Sequence, residues 1–165
     1  MKKIILSIVL FGALVCSAPA QQDRPLPIFP QNQATSPSSS ATERAHSLYR
    51  LLKQENPGLT WDSCLATRAT LRALRMVKKG YFDHEDPQTG KNPVWKSVSQ
   101  CVPEGRKKSG VPAGENLAKG IDTPARIHEA LMDSPTHRKN ILDPRFNRVG
   151  VGCYDSICVE LFLGL

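Results

Sequence analysis

Two cysteines near the C-terminus, Cys153 and Cys158, limit the fold of this chain more tightly than any other pair of residues. Each lies in an apolar run that is typical of a β-strand, and Asp155-Ser156 separates the two runs. A two-residue loop would place the cysteines opposite each other in a non-hydrogen-bonded pair, with Cα atoms about 4.5 Å apart. That separation is near the short end of disulfide geometry. The sequence therefore predicts a β-hairpin that a Cys153–Cys158 bridge closes.

The N-terminus indicates the compartment in which such a bridge would form. Lys2 and Lys3 precede an apolar run over residues 4–15, and Ala18-Pro19-Ala20 supplies small residues for cleavage. This arrangement is typical of a secretory signal peptide over residues 1–20, and the run is too short to span a membrane. Lipidation at Cys16 is an alternative that the preceding valine disfavours. We therefore predict a secreted protein, extracellular or periplasmic.

Removal of the signal peptide would leave four cysteines, Cys64, Cys101, Cys153 and Cys158. An even number in an oxidising compartment predicts two disulfides. If Cys153 pairs with Cys158, the second bridge is Cys64–Cys101. The spacing of the last two cysteines and the secreted context disfavour a zinc site built from the four.

The remaining chain divides into a tether and a single domain. Residues 21–41 are rich in Pro and Ser and lack periodicity, which predicts a flexible tether. The folded domain is predicted at residues 42–165. Within it, apolar spacing predicts helices at about 42–56 and 61–79, and Pro residues mark the starts of shorter helices farther on. Helices followed by strands predict an α+β fold.

Basic residues concentrate on the second predicted helix. Without the signal peptide, 20 basic minus 15 acidic residues leave a net charge of +5. Residues 63–82 hold no acidic residue and account for this excess with Arg68, Arg72, Arg75, Lys78 and Lys79. All but Lys78 fall on a narrow arc of the helical wheel, which predicts a solvated basic edge. Such an edge suits an anionic surface, whereas nucleic acid is not expected because no aromatic residues are interleaved.

Two histidines and a glutamate are candidates for a binding site. His84 follows the second helix, His137 lies near the start of a short helix, and Glu115 lies between them in the sequence. Two imidazoles and a carboxylate can bind a divalent metal, but a separation of 53 residues is by itself a weak signal. Ser134 is a candidate nucleophile, although an N-cap of the short helix is the favoured interpretation.

Five short motifs occur in one order along the domain and resemble those of a known family. The sequence is similar to the CAP superfamily, which comprises cysteine-rich secretory proteins, antigen 5 and plant pathogenesis-related proteins, and especially to its short secreted bacterial members. The resemblance covers about residues 45–165. The motifs are Pro57-Gly58-Leu59-Thr60-Trp61-Asp62, Gly80-Tyr81-Phe82-Asp83-His84, Gly114-Glu115-Asn116-Leu117-Ala118, Ser134-Pro135-Thr136-His137-Arg138-Lys139-Asn140-Ile141-Leu142 and Val149-Gly150-Val151-Gly152.

The resemblance implies both a fold and a site. The implied fold is a three-layer α-β-α sandwich with a central antiparallel sheet. The implied site is a cleft that binds divalent metal in several members, with His84 and His137 as metal ligands, zinc as the favoured metal, and Glu115 and Ser134 lining the cleft. Ser134 stands where eukaryotic members carry a second Glu, so one carboxylate is missing.

These observations lead to two hypotheses about function. The first is a secreted binding module whose cleft recognises a lipid, a glycan or a wall component, with or without metal. The second is a metal-dependent, protease-like hydrolase in which metal held by His84 and His137 activates water and Glu115 moves protons. The sequence contains no nucleophile elbow, HExxH or Walker motif, so the binding module is favoured and no residue is assigned as catalytic.

Overall fold

The structure, a computed structural model, describes residues 37–106 and 109–165. The predicted signal peptide and most of the predicted tether lie outside the described residues. Helix α1 spans Pro37–Glu55 and therefore begins five residues before its predicted start at Thr42. Residues 37–41, which the composition assigned to the tether, are helical.

Helix α2 spans Ser63–Lys79 and follows its sequence signals closely. The Asp62 side chain accepts a hydrogen bond from the backbone N–H of Leu65, which caps the first turn. Gly80 adopts a left-handed conformation with φ of 68° and ends the helix, as a glycine at this position allows. The shorter helices are α3 Val94–Val98, α4 Pro124–Asp133 and α5 Pro135–Leu142, and a 3-10 turn covers Ser99–Cys101.

Four strands form one sheet in the order β1-β3-β4-β2. They are β1 Thr60–Trp61, β2 Ala113–Lys119, β3 Arg148–Tyr154 and β4 Ile157–Leu163. The three long strands are antiparallel, as predicted, whereas the two-residue β1 runs parallel to β3 at the edge. The predicted hairpin is confirmed, because Cys153 lies opposite Cys158. Both predicted disulfides are present, Cys153–Cys158 and Cys64–Cys101.

The sheet lies between two helical layers, which confirms the α-β-α sandwich. Helices α2 and α3 cover one face, and helices α1, α4 and α5 cover the other. The alternation of side chains along β4 supplies both cores, since Val159 and Leu161 face α2 while Cys158 and Phe162 face α1. Among the described helices, none combines the length and apolarity needed to cross a bilayer.

Two glycines bring α2 into backbone contact with β3. A Cβ atom on Gly150 would lie 2.1 Å from the backbone nitrogen of Ala66, and one on Gly152 would lie 2.1 Å from that of Thr70. Any side chain at either position would overlap the helix backbone. The Val-Gly-Val-Gly sequence of β3 therefore fixes how closely α2 approaches the sheet.

Candidate functional site

His84 and Glu115 meet at the β2 edge of the sheet. Glu115 lies on the edge strand β2 and is buried, while His84 lies in the loop that follows α2. The Nδ1 atom of His84 is 2.9 Å from Oε1 of Glu115. The His84 side chain keeps 44% of its surface exposed, so the ring reaches solvent from a buried anchor.

Arg72 holds the other oxygen of Glu115. Its Nε donates to Glu115 Oε2 at 3.1 Å, and the side chain is almost fully buried. The same guanidinium donates to the Tyr81 hydroxyl at 2.6 Å and to the backbone carbonyls of Asp83 and His84 at 2.6 and 3.1 Å. Arg72 therefore fixes both the carboxylate and the loop that carries His84.

The prediction that Arg72 belongs to a solvated basic edge is wrong. Its guanidinium is enclosed because its charge and donors satisfy Glu115 and the loop after α2. Two neighbours on the helix are also engaged: Arg75 lies 2.5 Å from the buried Asp86, and Lys79 donates to Gln88. The basic residues of α2 thus serve largely to fasten the segment after the helix.

This arrangement sets the chemistry of the His84 ring. A carboxylate only accepts hydrogen bonds, so Nδ1 of His84 carries a proton toward Glu115 and, in the neutral ring, Nε2 holds the lone pair. The hydrogen bond with Glu115 raises the pKa of His84 above its ordinary value, while burial acts in the opposite direction. Nε2 is therefore the nitrogen available to a ligand or metal ion.

His137 lies on α5, which faces the opposite side of β2. Its ring is partly buried, and burial lowers the pKa of His137, with a further lowering from the positive charge of His84. Its backbone carbonyl accepts a hydrogen bond from the Asn116 side chain at 3.2 Å. The Asn140 side chain donates to the Asn116 side-chain oxygen at 2.9 Å and to the Glu115 carbonyl at 3.2 Å, so α5 is tied to β2.

Asn116, Asn140 and Glu160 form a network that the sequence patterns did not single out. Asn116 donates to Oε2 of Glu160 at 3.0 Å, and the other carboxyl oxygen of Glu160 is buried without a partner. Burial raises the pKa of Glu160 to about 7. A charged residue amid the apolar side chains of β4 was the available signal, because such a residue is seldom fully buried without a polar neighbour.

Ser134 does not act as the helix cap that its position predicted. It occupies the N-cap position of α5, but its hydroxyl makes no capping hydrogen bond. A cavity of about 460 Å³ opens beside His84 and Glu115, and Trp95 and Asn92 also line it. Neither Ser134 nor His137 is among the residues lining this cavity.

The three candidate metal donors do not form a compact cluster. The ligating atoms of His84, Glu115 and His137 do not all lie within 4.8 Å of one another. Within residues 37–106 and 109–165, the single such group of three is Asp62, Cys64 and Cys101, and its two sulfur atoms form a disulfide. Of the three, His84 and Glu115 are in direct contact, so Glu115 occupies Nδ1 and orients the His84 ring.

Comparisons with known proteins agree with this fold. The model of the CAP family, described as the cysteine-rich secretory protein family, matches residues 43–158. YkwD of Bacillus subtilis (strain 168) is 39% identical over 114 residues, which are 68% of this chain and 42% of YkwD. The chain thus spans about two fifths of the length of that curated relative.

Solved structures extend the comparison to the fold. An extracellular protein containing a SCP domain from Bacillus anthracis superposes with a TM-score of 0.66 and 23% identity, covering 78% of this chain and 42% of that one. An outer surface protein from Borrelia burgdorferi gives a TM-score of 0.52 and 21% identity, covering 76% of this chain and 90% of that one. At these identities the likeness supports the fold alone.

Proposed function

This chain belongs to the CAP family of cysteine-rich secretory proteins, and from that premise we propose that it is a secreted binding module. The site is the cleft around His84 and Glu115, with His137 as a second donor. Secretion is supported by the two disulfides, which persist in oxidising compartments, and by the extracellular and surface proteins that share the fold.

The single observation that carries the proposal is the anchoring of Glu115 between Arg72 and His84. A carboxylate that accepts the Nδ1 proton of a histidine orients the ring and makes Nε2 a stronger donor to a metal. Two imidazole nitrogens suit zinc, and water or ligand atoms complete the coordination in sites with few protein donors. His84 and His137 would hold the ion, which would act as a Lewis acid toward a bound oxygen ligand.

The lining of the cavity favours a polar, ring-containing ligand. Trp95 is 42% exposed and lies beside Asn92 and His84, so an aromatic surface adjoins hydrogen-bonding groups. A glycan or wall component suits this combination, because a sugar ring can pack on Trp95 while its hydroxyl groups bond to Asn92 and His84. The ligand class within this proposal is therefore a carbohydrate of the cell envelope.

The alternative of a metal-dependent hydrolase receives less support. Both oxygens of Glu115 accept hydrogen bonds, from His84 and from Arg72, so this carboxylate is poorly placed to move protons during turnover. Ser134 replaces the second carboxylate that such a mechanism would use. Turnover of a peptide, ester or glycan by the zinc-loaded protein, abolished in His84→Ala, would favour the hydrolase.

Calorimetric titration with zinc chloride tests the metal part of the proposal. We expect His84→Ala and His137→Ala each to weaken zinc binding at least tenfold, because each removes one nitrogen donor. His46→Ala is the matched control, since His46 is an exposed histidine stacked on Trp61. Equal zinc affinity in all four proteins would contradict the assignment of these histidines as ligands.

Binding of purified wall polysaccharide tests the ligand class separately. We expect Trp95→Ala to weaken that binding, while Tyr154→Ala, which removes an exposed aromatic side chain from the hairpin, leaves it unchanged. Binding of fatty-acid vesicles but not polysaccharide would overturn the carbohydrate assignment.

A further inference from the structure

The outer edge of β3 carries backbone groups that are not used within the described fold. The carbonyl of Val149 accepts a hydrogen bond from the backbone N–H of Asp62, so this residue and every second one after it point their backbone groups away from β4. The Cα atoms of Cys153 and Cys158 are 4.1 Å apart, as in a non-hydrogen-bonded pair, which gives the same orientation. Strand β1 ends at Trp61, which lies opposite Val149, and so it does not extend alongside Val151. The N–H and C=O groups of Val151 and Cys153 thus face outward without a partner in the described part of the chain.

These outward-facing groups belong to buried residues. Val151 is 1% exposed and Cys153 is 3% exposed. Buried backbone polar groups are nearly always hydrogen-bonded, and one left unpaired costs about 1–3 kcal/mol. A buried strand edge without a partner therefore indicates a place where a further hydrogen-bonding group completes the structure.

A cavity of about 870 Å³ lies along this edge, and we call it the β3-edge groove. Helices α1 and α2 cover opposite faces of the sheet and form the two walls of the groove. The wall side chains are mostly short, which leaves room between the helices: Ala41, Ala45, Ala66, Thr67 and Thr70. Trp61 lies near the β1 end of the groove and Tyr154 at the hairpin end.

We propose that the β3-edge groove binds an extended peptide segment of another polypeptide, which joins the sheet as a strand beside Val151 and Cys153. In strand addition, main-chain hydrogen bonds supply affinity and alternate side chains enter pockets. The short, largely apolar walls select a segment with small or apolar side chains. The site is separate from the His84 cleft, since β2 and β3 lead to opposite edges of the sheet.

The pattern of the unpaired groups decides in favour of a peptide. Val151 and Cys153 are two residues apart, and backbone groups on one side of a strand repeat at this interval, about 6.6 Å. Another strand offers donors and acceptors at the same repeat. A fatty acyl chain would fill the groove but would leave the backbone N–H and C=O groups of Val151 and Cys153 without hydrogen bonds, which costs free energy.

Selection from a random phage-displayed peptide library on the disulfide-bonded protein tests this inference. We expect enriched peptides to shift the amide resonances of Val151 and Cys153 in a ¹⁵N-labelled sample. Two synthetic copies of an enriched peptide are then compared, one with N-methyl groups on its odd-numbered amides and one with N-methyl groups on its even-numbered amides. One of the two copies should bind at least tenfold more weakly than the other. The side chains are identical in these copies, so the difference reports backbone hydrogen bonds.

Variants that narrow the groove provide the second readout. Ala66→Leu and Thr67→Leu should each weaken binding at least tenfold, whereas Ala130→Leu, an exposed alanine on α4, should leave it unchanged. Circular dichroism confirms that each variant is folded. The proposal is overturned if no peptide is enriched, if neither N-methylated copy binds more weakly than the unmethylated peptide, or if lauric acid alone moves the same two resonances.

Discussion

At the scale of the residue, Arg72 changes what the site can do. The sequence placed it with Arg68 and Arg75 on a basic edge, because all three recur on one side of the helical wheel. Arg72 lies at the boundary between that edge and the apolar arc, next to Leu65 and Met76, and both of these are buried. Periodicity cannot decide which side of the boundary a long side chain takes, because the deciding partner, Glu115, is 43 residues away in the sequence.

Removing the Arg72 charge should destabilise the protein strongly. Arg72→Met keeps much of the side-chain volume but leaves Glu115 buried without its cation, which typically costs about 3–5 kcal/mol. Arg68→Met is the matched control on the same helix, because Arg68 is only partly buried. Urea unfolding at pH 7 measures both. A similar small loss in the two variants would contradict the role given to Arg72.

Glu160 is a second residue whose environment decides its behaviour. Its carboxyl lies amid apolar side chains with one hydrogen bond from Asn116, and burial raises the pKa of Glu160 from its ordinary value of 4.5 to about 7. The folded protein therefore holds a proton that the unfolded chain releases between these two values. Stability from this group is greatest at low pH and is lost as the pH rises toward 7.

Glu160→Gln should remove that pH dependence. The free energy of unfolding of the wild type, relative to the variant, should fall by about 3 kcal/mol between pH 4.5 and pH 7 and change little above it, since each pKa unit corresponds to about 1.4 kcal/mol. Urea unfolding of both proteins at intervals of one pH unit checks this. A constant difference across the range would show that the carboxyl ionises normally.

At the scale of the element, local signals predicted most of the fold. The hairpin, its Cys153–Cys158 bridge and the end of α2 at Gly80 follow from nearby residues, so short-range chemistry was sufficient for them. The Cys64–Cys101 bridge joins residues 37 apart and was predicted as the pair that remained. Strand β2 was not predicted from its pattern, because Ala113, Gly114 and Asn116 have little preference for strands. It exists because every residue from Ala113 to Lys119 pairs with β4, and that partner is distant in the sequence.

The contact between α2 and β3 gives a prediction about Gly152. Gly152→Ala would place a Cβ atom 2.1 Å from the backbone nitrogen of Thr70, so the helix must shift and the packing loss should reach about 3 kcal/mol or more. Gly58→Ala is the control, because its Cβ would meet only a side-chain oxygen of Asn56 at 3.2 Å. Thermal unfolding compares the two, and equal melting temperatures would contradict the close contact.

At the scale of the whole molecule, the site is where sequence reasoning reached its limit. The resemblance indicated His84, Glu115 and His137, and the fold brings His84 and Glu115 into contact. It does not draw the three sets of donor atoms into one cluster, because His137 is carried by a helix on the other face of β2. Distances across a sheet depend on the packing of both layers, which no motif records.

The two disulfides should contribute unequally to global stability. Cys64–Cys101 joins residues 37 apart and encloses the loop that carries His84, whereas Cys153–Cys158 joins residues 5 apart. From loop-closure entropy, replacing both cysteines of the first bridge by alanine should lower the free energy of unfolding by roughly 4 kcal/mol. The same replacement at the second bridge should lower it by roughly 2 kcal/mol. Urea unfolding of the two double variants provides matched measurements. A larger loss from the second pair would contradict this order.

The shorter bridge has a consequence for how the chain reaches its fold. Cys153 and Cys158 stay joined in urea, so the opposing positions of β3 and β4 remain set in the oxidised unfolded chain. Refolding of that chain begins with the register of its two central strands already chosen, and a slip by one residue, which would turn every side chain to the wrong layer, is excluded by covalent chemistry. The conformational search is then left with the placement of β1, β2 and the helices around a template only a few residues long.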